Sequence, residues 1–138
     1  MTDITDKEES SDFVFVYGTL MRGERAHFFL KGSHFVGVGV TPPAFTMVES
    51  TFPALIRIEN GFPVAGEVYS VPPSTLENLD RYEGYPDFYT RKKYEVTLSV
   101  GHKVEAWVYV DATSSLMGRR SVLPINGVLK WKSRVTLQ

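Results

Sequence analysis

The sequence contains no cysteine, no long apolar run and no large excess of charge of either sign. Without cysteine the chain has no disulfide, no thiolate metal site and no cysteine nucleophile, and its redox compartment is unmarked. No stretch approaches the roughly 20 apolar residues that a membrane-spanning helix needs. The N-terminus is polar and acidic where a secretory signal would be basic and then apolar. We therefore expect a cytoplasmic protein with no membrane partner.

Charge and metal-ligand patterns exclude further classes. The net charge is −1, and the first twelve residues hold five acids and one lysine, which leaves +3 on the remainder. That excess is too small to indicate nucleic acid as a partner. Histidines 27, 34 and 102 have no second histidine or acid at metal-binding spacing, and no nucleotide fingerprint is present. The sequence predicts neither a metal nor a cofactor.

The domain organisation is simple. Residues 1–12 have few apolar side chains, and we expect them to form a flexible acidic N-terminal tail because they bury too little surface to offset the entropy of ordering. Residues 13–138 are of ordinary length for one domain, and 43% of the chain is hydrophobic. A single packed core is therefore expected.

Short, regularly spaced strand patterns dominate the chain. They cover residues 35–40, 44–49, 54–58 and 64–71, followed by a hairpin of 89–100 and 103–110 that turns near Gly101. Helices are expected at 24–31 and again from Ser74, which has the capping-box spacing to Glu77, to a stop at Gly84. The predicted fold is α+β, a small mixed or antiparallel β-barrel with short flanking helices.

Two basic segments have structural explanations. The run Arg91-Lys92-Lys93 is expected at a solvated strand edge. From Asp111 onward the periodicity is lost, and Lys130-Trp131-Lys132-Ser133-Arg134 is either a basic–aromatic patch or a last strand or tail whose Trp131 covers the core.

A strand that ends at a glycine gives the first candidate site. Residues 13–17 are β-branched or aromatic and uncharged, which predicts a strand buried on both faces. Gly18 then permits a turn that leaves the amides of Gly18, Thr19 and Leu20 without partners in a sheet. Successive free amides ahead of a helix suit a carboxylate or phosphate. The alternative is a tight strand-to-helix turn whose amides are hydrogen-bonded to water.

Glu83 has the most unusual setting among the carboxylates near the second helix. It lies in the last helical turn, with Tyr82, Tyr85, Phe88 and Tyr89 close along the chain. The negative end of the helix dipole and the loss of water among aromatic rings both disfavour the charged form, so the pKa of Glu83 is predicted to be raised. A glutamate before a glycine is also typical of a solvated helix end.

Several of these segments carry a resemblance. Tyr17-Gly18-Thr19-Leu20-Met21-Arg22-Gly23 resembles the signature loop of the γ-glutamylcyclotransferase-like family, particularly its AIG2-like, γ-glutamylamine cyclotransferase branch. Leu79-Asp80-Arg81-Tyr82-Glu83-Gly84, followed by Phe88-Tyr89-Thr90-Arg91, resembles the family's Leu-Asp-x-x-Glu-Gly and Tyr-x-Arg segment. Gly66-Glu67-Val68-Tyr69 resembles its Gly-x-Val-Tyr strand, and Phe52-Pro53-Ala54-Leu55 its aromatic–Pro pair. The resemblance runs from about residue 13 to about residue 110.

The resemblance implies the family's barrel fold and its reaction. The α-amine of a small-molecule γ-glutamyl substrate attacks the substrate's own γ-amide carbonyl, expels an amine and leaves 5-oxoproline. The family's catalytic acid/base matches Glu83, and the loop from Tyr17 through Gly18 and Thr19 to Leu20 would bind the substrate's α-carboxylate. Tyr89 either donates to the reacting carbonyl oxygen or packs with its hydroxyl satisfied.

The resemblance leaves a second function class and several substrates open. A module of the same fold that binds γ-glutamyl or other carboxylated ligands without turnover is the alternative, although the presence of Glu83 favours the enzyme. The leaving amine belongs to a γ-glutamylamine such as γ-glutamyl-lysine, a γ-glutamyl amino acid, glutathione or an antibiotic precursor. The oligomeric state is not fixed by the sequence, and a monomer is slightly favoured.

Overall fold

The computed structural model describes residues 11–50, 52–112 and 119–133. Its elements in chain order are β1 (Asp12–Val16), a 3-10 helix (His27–Leu30), β2 (His34–Val40), β3 (Phe45–Glu49), β4 (Pro53–Arg57), β5 (Ala65–Val71), α1 (Pro73–Glu83), β6 (Tyr89–Leu98), β7 (Lys103–Asp111) and β8 (Arg120–Ser121). Of the expected flexible tail, residues 1–10 lie outside the described residues, whereas Asp12 belongs to β1. In the described part of the chain, no helix is long and apolar enough to cross a membrane.

Five strands close a barrel in the order β1, β5, β2, β6 and β7. Neighbouring strands are antiparallel except for β1 and β7, which run parallel and close the barrel. A second sheet in the order β4, β3, β8 accompanies the barrel. The predicted mixed barrel with short flanking helices is confirmed.

β1 is buried on both faces from Val14 onward, as its composition predicts, whereas Phe13 is exposed. Val14 and Phe15 are fully buried, and Val16 is 2% exposed. Val14 and Val16 pack in one hydrophobic cluster and Phe15 in another, because successive side chains of a strand point to opposite faces. The strand therefore separates two parts of the core, and its carboxyl end delivers the following loop into the interior.

The helix α1 ends at the residue that the sequence predicts, but the capping at its start differs from the prediction. Gly84 adopts a left-handed conformation, with φ of 72°, and its amide bonds back to the last helical turn. The predicted capping box is wrong: the N-cap is Pro72, no side chain caps the helix, and Ser74 lies inside it. Pro73 at the first helical position supplies the fixed φ that starts the helix without a side-chain cap.

The predicted helix at 24–31 is wrong. Only His27–Leu30 is helical, and it is a 3-10 turn in which the amide of Phe29 bonds to the carbonyl of Ala26 at 3.1 Å. So short a segment cannot offset the cost of nucleating an α-helix. The expected stop at Gly32 is present, with φ of 85°.

The later elements follow the sequence pattern closely. β6 and β7 form the predicted hairpin, and Gly101 at its turn has φ of 112°. Trp131 is 4% exposed and packs in the core. The neighbouring Leu129 exchanges backbone hydrogen bonds of 2.9 Å with Pro63 and Ala65. The core-covering interpretation of this segment, rather than a basic–aromatic patch, therefore holds for its described residues.

Candidate active site

A pocket of about 230 Å³ opens at the carboxyl end of β1. All six residues that the sequence singles out line it: Tyr17, Gly18, Thr19, Leu20, Glu83 and Tyr89. The remaining walls are apolar or aromatic and come from β1, from β4 and the residue before it, from α1 and the segment after it, and from β7. The fold thus brings two segments more than sixty residues apart in sequence to one cavity.

The loop after β1 presents backbone donors to this pocket. Its internal backbone hydrogen bonds use the amides of Met21, Glu24 and Ala26 as donors. Among the described residues, no backbone or side-chain acceptor engages the amides of Gly18, Thr19 or Leu20. The expected run of three free amides is therefore present, although a 3-10 turn follows it and not the predicted α-helix.

Gly18 is required for a different reason from the one the sequence suggests. Its φ is not in the left-handed region, so backbone freedom alone does not explain it. A Cβ at this position would instead lie 2.5 Å from Cγ and 2.9 Å from Cδ of Pro53 on β4. Close packing against β4, which the sequence does not show, makes this position intolerant of a side chain.

Three hydrogen bonds join the loop to other segments of the chain. Nδ1–H of His27 donates to the carbonyl of Leu20 at 2.9 Å. The amide of Arg22 donates to Oε1 of Glu67 at 2.9 Å. On the pocket side, the hydroxyls of Thr19 and Tyr82 are hydrogen-bonded at 2.8 Å. The loop is therefore tied to β5 and to the end of α1.

Glu83 occupies the last helical position of α1 and is partly buried. Burial raises the pKa of Glu83 to about 8, and the nearby charge of Asp80 contributes in the same direction. Among the described residues, no side-chain hydrogen bond or ion pair stabilises its charged form. The predicted upward shift is confirmed, with burial and Asp80 as its causes.

The hydroxyl proton of Tyr89 is already donated in a hydrogen bond within the protein. The Tyr89 hydroxyl donates to the backbone carbonyl of Pro53 at 2.9 Å, and the side chain is 5% exposed. Burial and the neighbouring Glu83 raise the pKa of Tyr89 well above its usual value. Of the two interpretations from sequence, packing with a satisfied hydroxyl fits these contacts. The Tyr17 hydroxyl likewise donates a hydrogen bond to the backbone carbonyl of Tyr109 at 2.8 Å.

A charged network behind Glu83 was missed from sequence. Nε of Arg91 donates to Oδ1 of Asp80 at 2.8 Å and Nη2 donates to Oδ2 at 3.0 Å. The Tyr109 hydroxyl donates to the same Oδ1 at 2.6 Å. The solvated edge predicted for 91–93 is therefore wrong for Arg91, because its side chain turns onto Asp80 of α1, whereas residues 92 and 93 are exposed. The spacing of Asp80 and Glu83, three residues apart on one helix, could have indicated that these two carboxylates are neighbours, but not that Arg91 and Tyr109 join them.

The pocket offers little charge to a ligand. Among its described lining residues, none is a lysine, an arginine or a histidine, and Glu83 is the sole carboxylate. No group of three or more metal-ligating side chains occurs in the described ranges. Among the described lining residues, the backbone amides of the loop are therefore the groups that could bind an anion, and Glu83 is the carboxylate that could exchange a proton.

Comparisons of sequence and structure find known proteins that resemble this chain. A family model described as gamma-glutamyl cyclotransferase, AIG2-like, matches residues 14–125. The chain is 37% identical over 116 residues to a gamma-glutamylaminecyclotransferase of Rattus norvegicus, covering 72% of this chain and 78% of that one. A Methanocaldococcus jannaschii protein that bears a gamma-glutamylcyclotransferase name is 40% identical over 99 residues, covering 71% and 82%. A crystal structure of an AIG2-like protein from Mus musculus matches with a TM-score of 0.73 and 26% identity, over 93% of this chain and 100% of that chain.

Proposed function

Because the chain belongs to the gamma-glutamyl cyclotransferase, AIG2-like family, we propose that it converts a γ-glutamyl substrate to 5-oxoproline and a free amine, with Glu83 as general acid/base. The observation that carries the proposal is the placement of Glu83, with its raised pKa, in the same pocket as the free amides of the loop after β1. The family implies the reaction, and the pocket supplies groups suited to it.

The loop amides would bind the substrate's α-carboxylate. Gly18, Thr19 and Leu20 have donors to offer, and three external hydrogen bonds hold their loop in place. Preformed amides bind an anion without reorganising, which favours a fixed position for the α-carbon and its amine. At about 230 Å³ the pocket is smaller than the roughly 300–1,000 Å³ typical of drug-sized ligands. We place the γ-glutamyl unit inside and the leaving amine at the mouth.

Glu83 would take the proton that the α-ammonium must lose before attack. An α-amine has a reference pKa of about 8 and an ordinary Glu about 4.3, so transfer to an unperturbed carboxylate is uphill by about 5 kcal/mol. A Glu83 pKa of about 8 brings the two groups close to balance. The environment of Glu83 thus removes most of this penalty before any bond to carbon forms.

The remaining steps need no additional group. The neutral amine attacks the γ-carbonyl carbon, a carbon–nitrogen bond forms, and the ring closes. Protonated Glu83 then donates its proton to the departing nitrogen as the original amide bond breaks, which restores the carboxylate. The extra proton on the attacking nitrogen passes through the Glu83 carboxylate to the released amine, so the products are a neutral lactam and an ammonium, and Glu83 is again ionised. Because both reactants belong to one molecule, orientation alone can supply an effective concentration on the order of 10⁵ M or more. The committed hydroxyl of Tyr89 would shape the pocket without transferring a proton.

The test is a panel of γ-glutamyl compounds incubated with purified protein and assayed for 5-oxoproline. The panel contains γ-glutamyl-ε-lysine, other γ-glutamylamines, γ-glutamyl amino acids and glutathione. Since relatives are named for γ-glutamylamines, we expect that group to give the highest kcat/KM. Tight binding of these compounds with no 5-oxoproline from any of them would favour the non-catalytic binding module.

A further inference from the structure

Asp80 is held more firmly than its position on a short surface helix requires. Its carboxylate receives two hydrogen bonds from Arg91 and a third from the Tyr109 hydroxyl. The Asp80 and Arg91 side chains are 18% and 14% exposed. Arg91 is itself held between the rings of Trp107 and Tyr85, at 4.2 and 4.7 Å from their centroids. The pair is thus geometrically fixed at the junction of α1, β6 and β7.

Burial alone would raise the pKa of Asp80, but the bonds from Arg91 and Tyr109 outweigh it and lower the pKa below the usual value. Asp80 therefore carries a full negative charge across the neutral range. Its backbone carbonyl also accepts the amide of Tyr85 at 2.9 Å, which fixes the end of the helix. The negative charge of Asp80 therefore has a fixed position relative to the other residues of α1.

Glu83 lies on the same face of α1, because residues three apart on a helix are neighbours, about 5–6 Å between their Cβ atoms. We propose that Asp80 is a positioning residue that acts through Glu83, an inference that rests on the proposed role of Glu83. Asp80 and Arg91 form a fixed charge pair, and this pair sets the pH range in which Glu83 exchanges its proton. The Asp80 charge opposes ionisation of Glu83, and the Arg91 charge partly offsets it.

Besides burial, Asp80 is the charge that contributes to the raised pKa of Glu83, although other titratable groups surround it. The titratable and charged groups on the elements packed around it are Tyr17 after β1, Tyr89 and Arg91 on β6, Tyr109 and Asp111 on β7, and Asp80, Arg81 and Tyr82 on α1. Burial and nearby carboxylates raise the pKa of Tyr17, Tyr89 and Tyr109, so these three remain neutral. The experiment below leaves Asp111 and Arg81 unchanged in every variant.

The test is the titration of the Glu83 carboxyl carbon, followed by NMR in the substrate-free parent and in three variants. Asp80→Asn removes the negative charge and leaves Arg91, so the Glu83 midpoint moves to lower pH by roughly one unit. Arg91→Gln removes the positive charge and leaves Asp80, so the midpoint moves to higher pH. The matched control is Asp87→Asn, an exposed carboxylate four residues after Glu83, which leaves the midpoint within about 0.2 units.

If the Glu83 midpoint moves to lower pH in Asp80→Asn and to higher pH in Arg91→Gln, the proposal is supported. Structural damage would not make the direction of the shift depend on the sign of the charge removed. Midpoints unchanged in both variants, or displaced in the same direction, overturn it. If Asp80→Asn does not fold, the direction in Arg91→Gln decides alone. Because the titration uses no substrate, an inactive protein still gives an answer, and failure of the proposed reaction is detected separately by the 5-oxoproline assay. In an active protein the pH of half-maximal kcat/KM also moves with the Glu83 midpoint.

Discussion

Gly18 and Pro53 are packed so closely that a single methyl group cannot be placed between them. The ideal Cβ of residue 18 would lie 2.5 Å from Pro53 Cγ and 2.9 Å from Cδ, whereas Pro53 Cβ would be at 3.9 Å. The contact joins the loop that carries the free amides to β4, whose first residue also accepts the Tyr89 hydroxyl. It therefore fixes the depth at which the loop lies in the pocket.

We predict that Gly18→Ala destabilises the fold by about 1–3 kcal/mol, the usual cost of overpacking, and lowers kcat/KM. Pro53→Ala removes Cγ and Cδ, so the double variant Gly18→Ala/Pro53→Ala recovers most of the lost stability. Urea denaturation of the four proteins in this cycle measures the coupling. Strictly additive effects would show that the clash is relieved elsewhere and that Pro53 does not set the loop position.

The Tyr89 hydroxyl gives a second prediction. Because its proton is committed to the Pro53 carbonyl, Tyr89→Phe loses one buried hydrogen bond and about 1 kcal/mol of stability. We expect kcat to fall by less than about fivefold. Steady-state kinetics on the best substrate decides the matter, since a loss of 10²-fold or more with a normal KM would identify Tyr89 as a donor to the reacting carbonyl.

The hydrogen bond from His27 to the Leu20 carbonyl gives a third prediction. His27→Ala removes the donor to the Leu20 carbonyl, and we expect KM to rise about five- to tenfold, the worth of one hydrogen bond, with little change in kcat. His27→Asn places an amide N–H close to the Nδ1 position and should restore most of the affinity. Equal KM values for Ala and Asn would show that His27 is only a packing residue beside Tyr69.

The pH dependence of stability tests the Glu83 environment without substrate. The folded-state pKa of about 8 lies above the ordinary value of 4.5. Between these two values the folded protein holds a proton that the unfolded chain has released, so the contribution of neutral Glu83 is complete below about pH 4.5 and is lost as the pH rises through 8.

Relative to Glu83→Gln, the parent should therefore lose up to about 1.4 kcal/mol of unfolding free energy per pH unit across that window. Urea midpoints at pH 5, 6, 7 and 8 for both proteins give the difference, in which the opposite contribution of Asp80 cancels. A constant difference over this range would mean that Glu83 titrates normally.

The sequence predicts most of the fold because its signals are local. The strands, the hairpin turn at Gly101 and the helix stop at Gly84 each follow from alternation or from a glycine at a left-handed position. The two helix errors have local causes as well: Pro73 replaces a side-chain cap, and the segment around His27 is too short for an α-helix. The burial of Trp131 followed from its size and apolar surface.

The site is less accessible to sequence reasoning because its contacts are not local. Residues 17–20 and Glu83 could be singled out, but nothing in the sequence places Pro53 against Gly18 or Tyr109 against Asp80. Arg91 shows the difficulty most clearly: beside two lysines it is typical of a solvated edge, yet its guanidinium bonds to Asp80 on α1. Contacts between segments that are far apart in sequence decide which charges face Glu83, and the periodicity of the sequence does not indicate such contacts.

The central claim is that Glu83 transfers the proton. Glu83→Gln preserves the size of the side chain but cannot accept the α-ammonium proton, so 5-oxoproline release should fall by at least about 10²-fold. The protein should remain folded, with stability at pH 8 equal to or above that of the parent, because an unfavourable buried charge is removed. Asp87→Asn, on an exposed neighbouring carboxylate, is the matched control and should retain nearly full activity.

The decisive measurement is the rate of 5-oxoproline release by parent, Glu83→Gln and Asp87→Asn on the best substrate of the panel, at equal folded protein and at pH 8. The account predicts activity in the parent and in Asp87→Asn and a loss of at least about 10²-fold in Glu83→Gln alone. A folded Glu83→Gln that releases 5-oxoproline at the parent rate would contradict it.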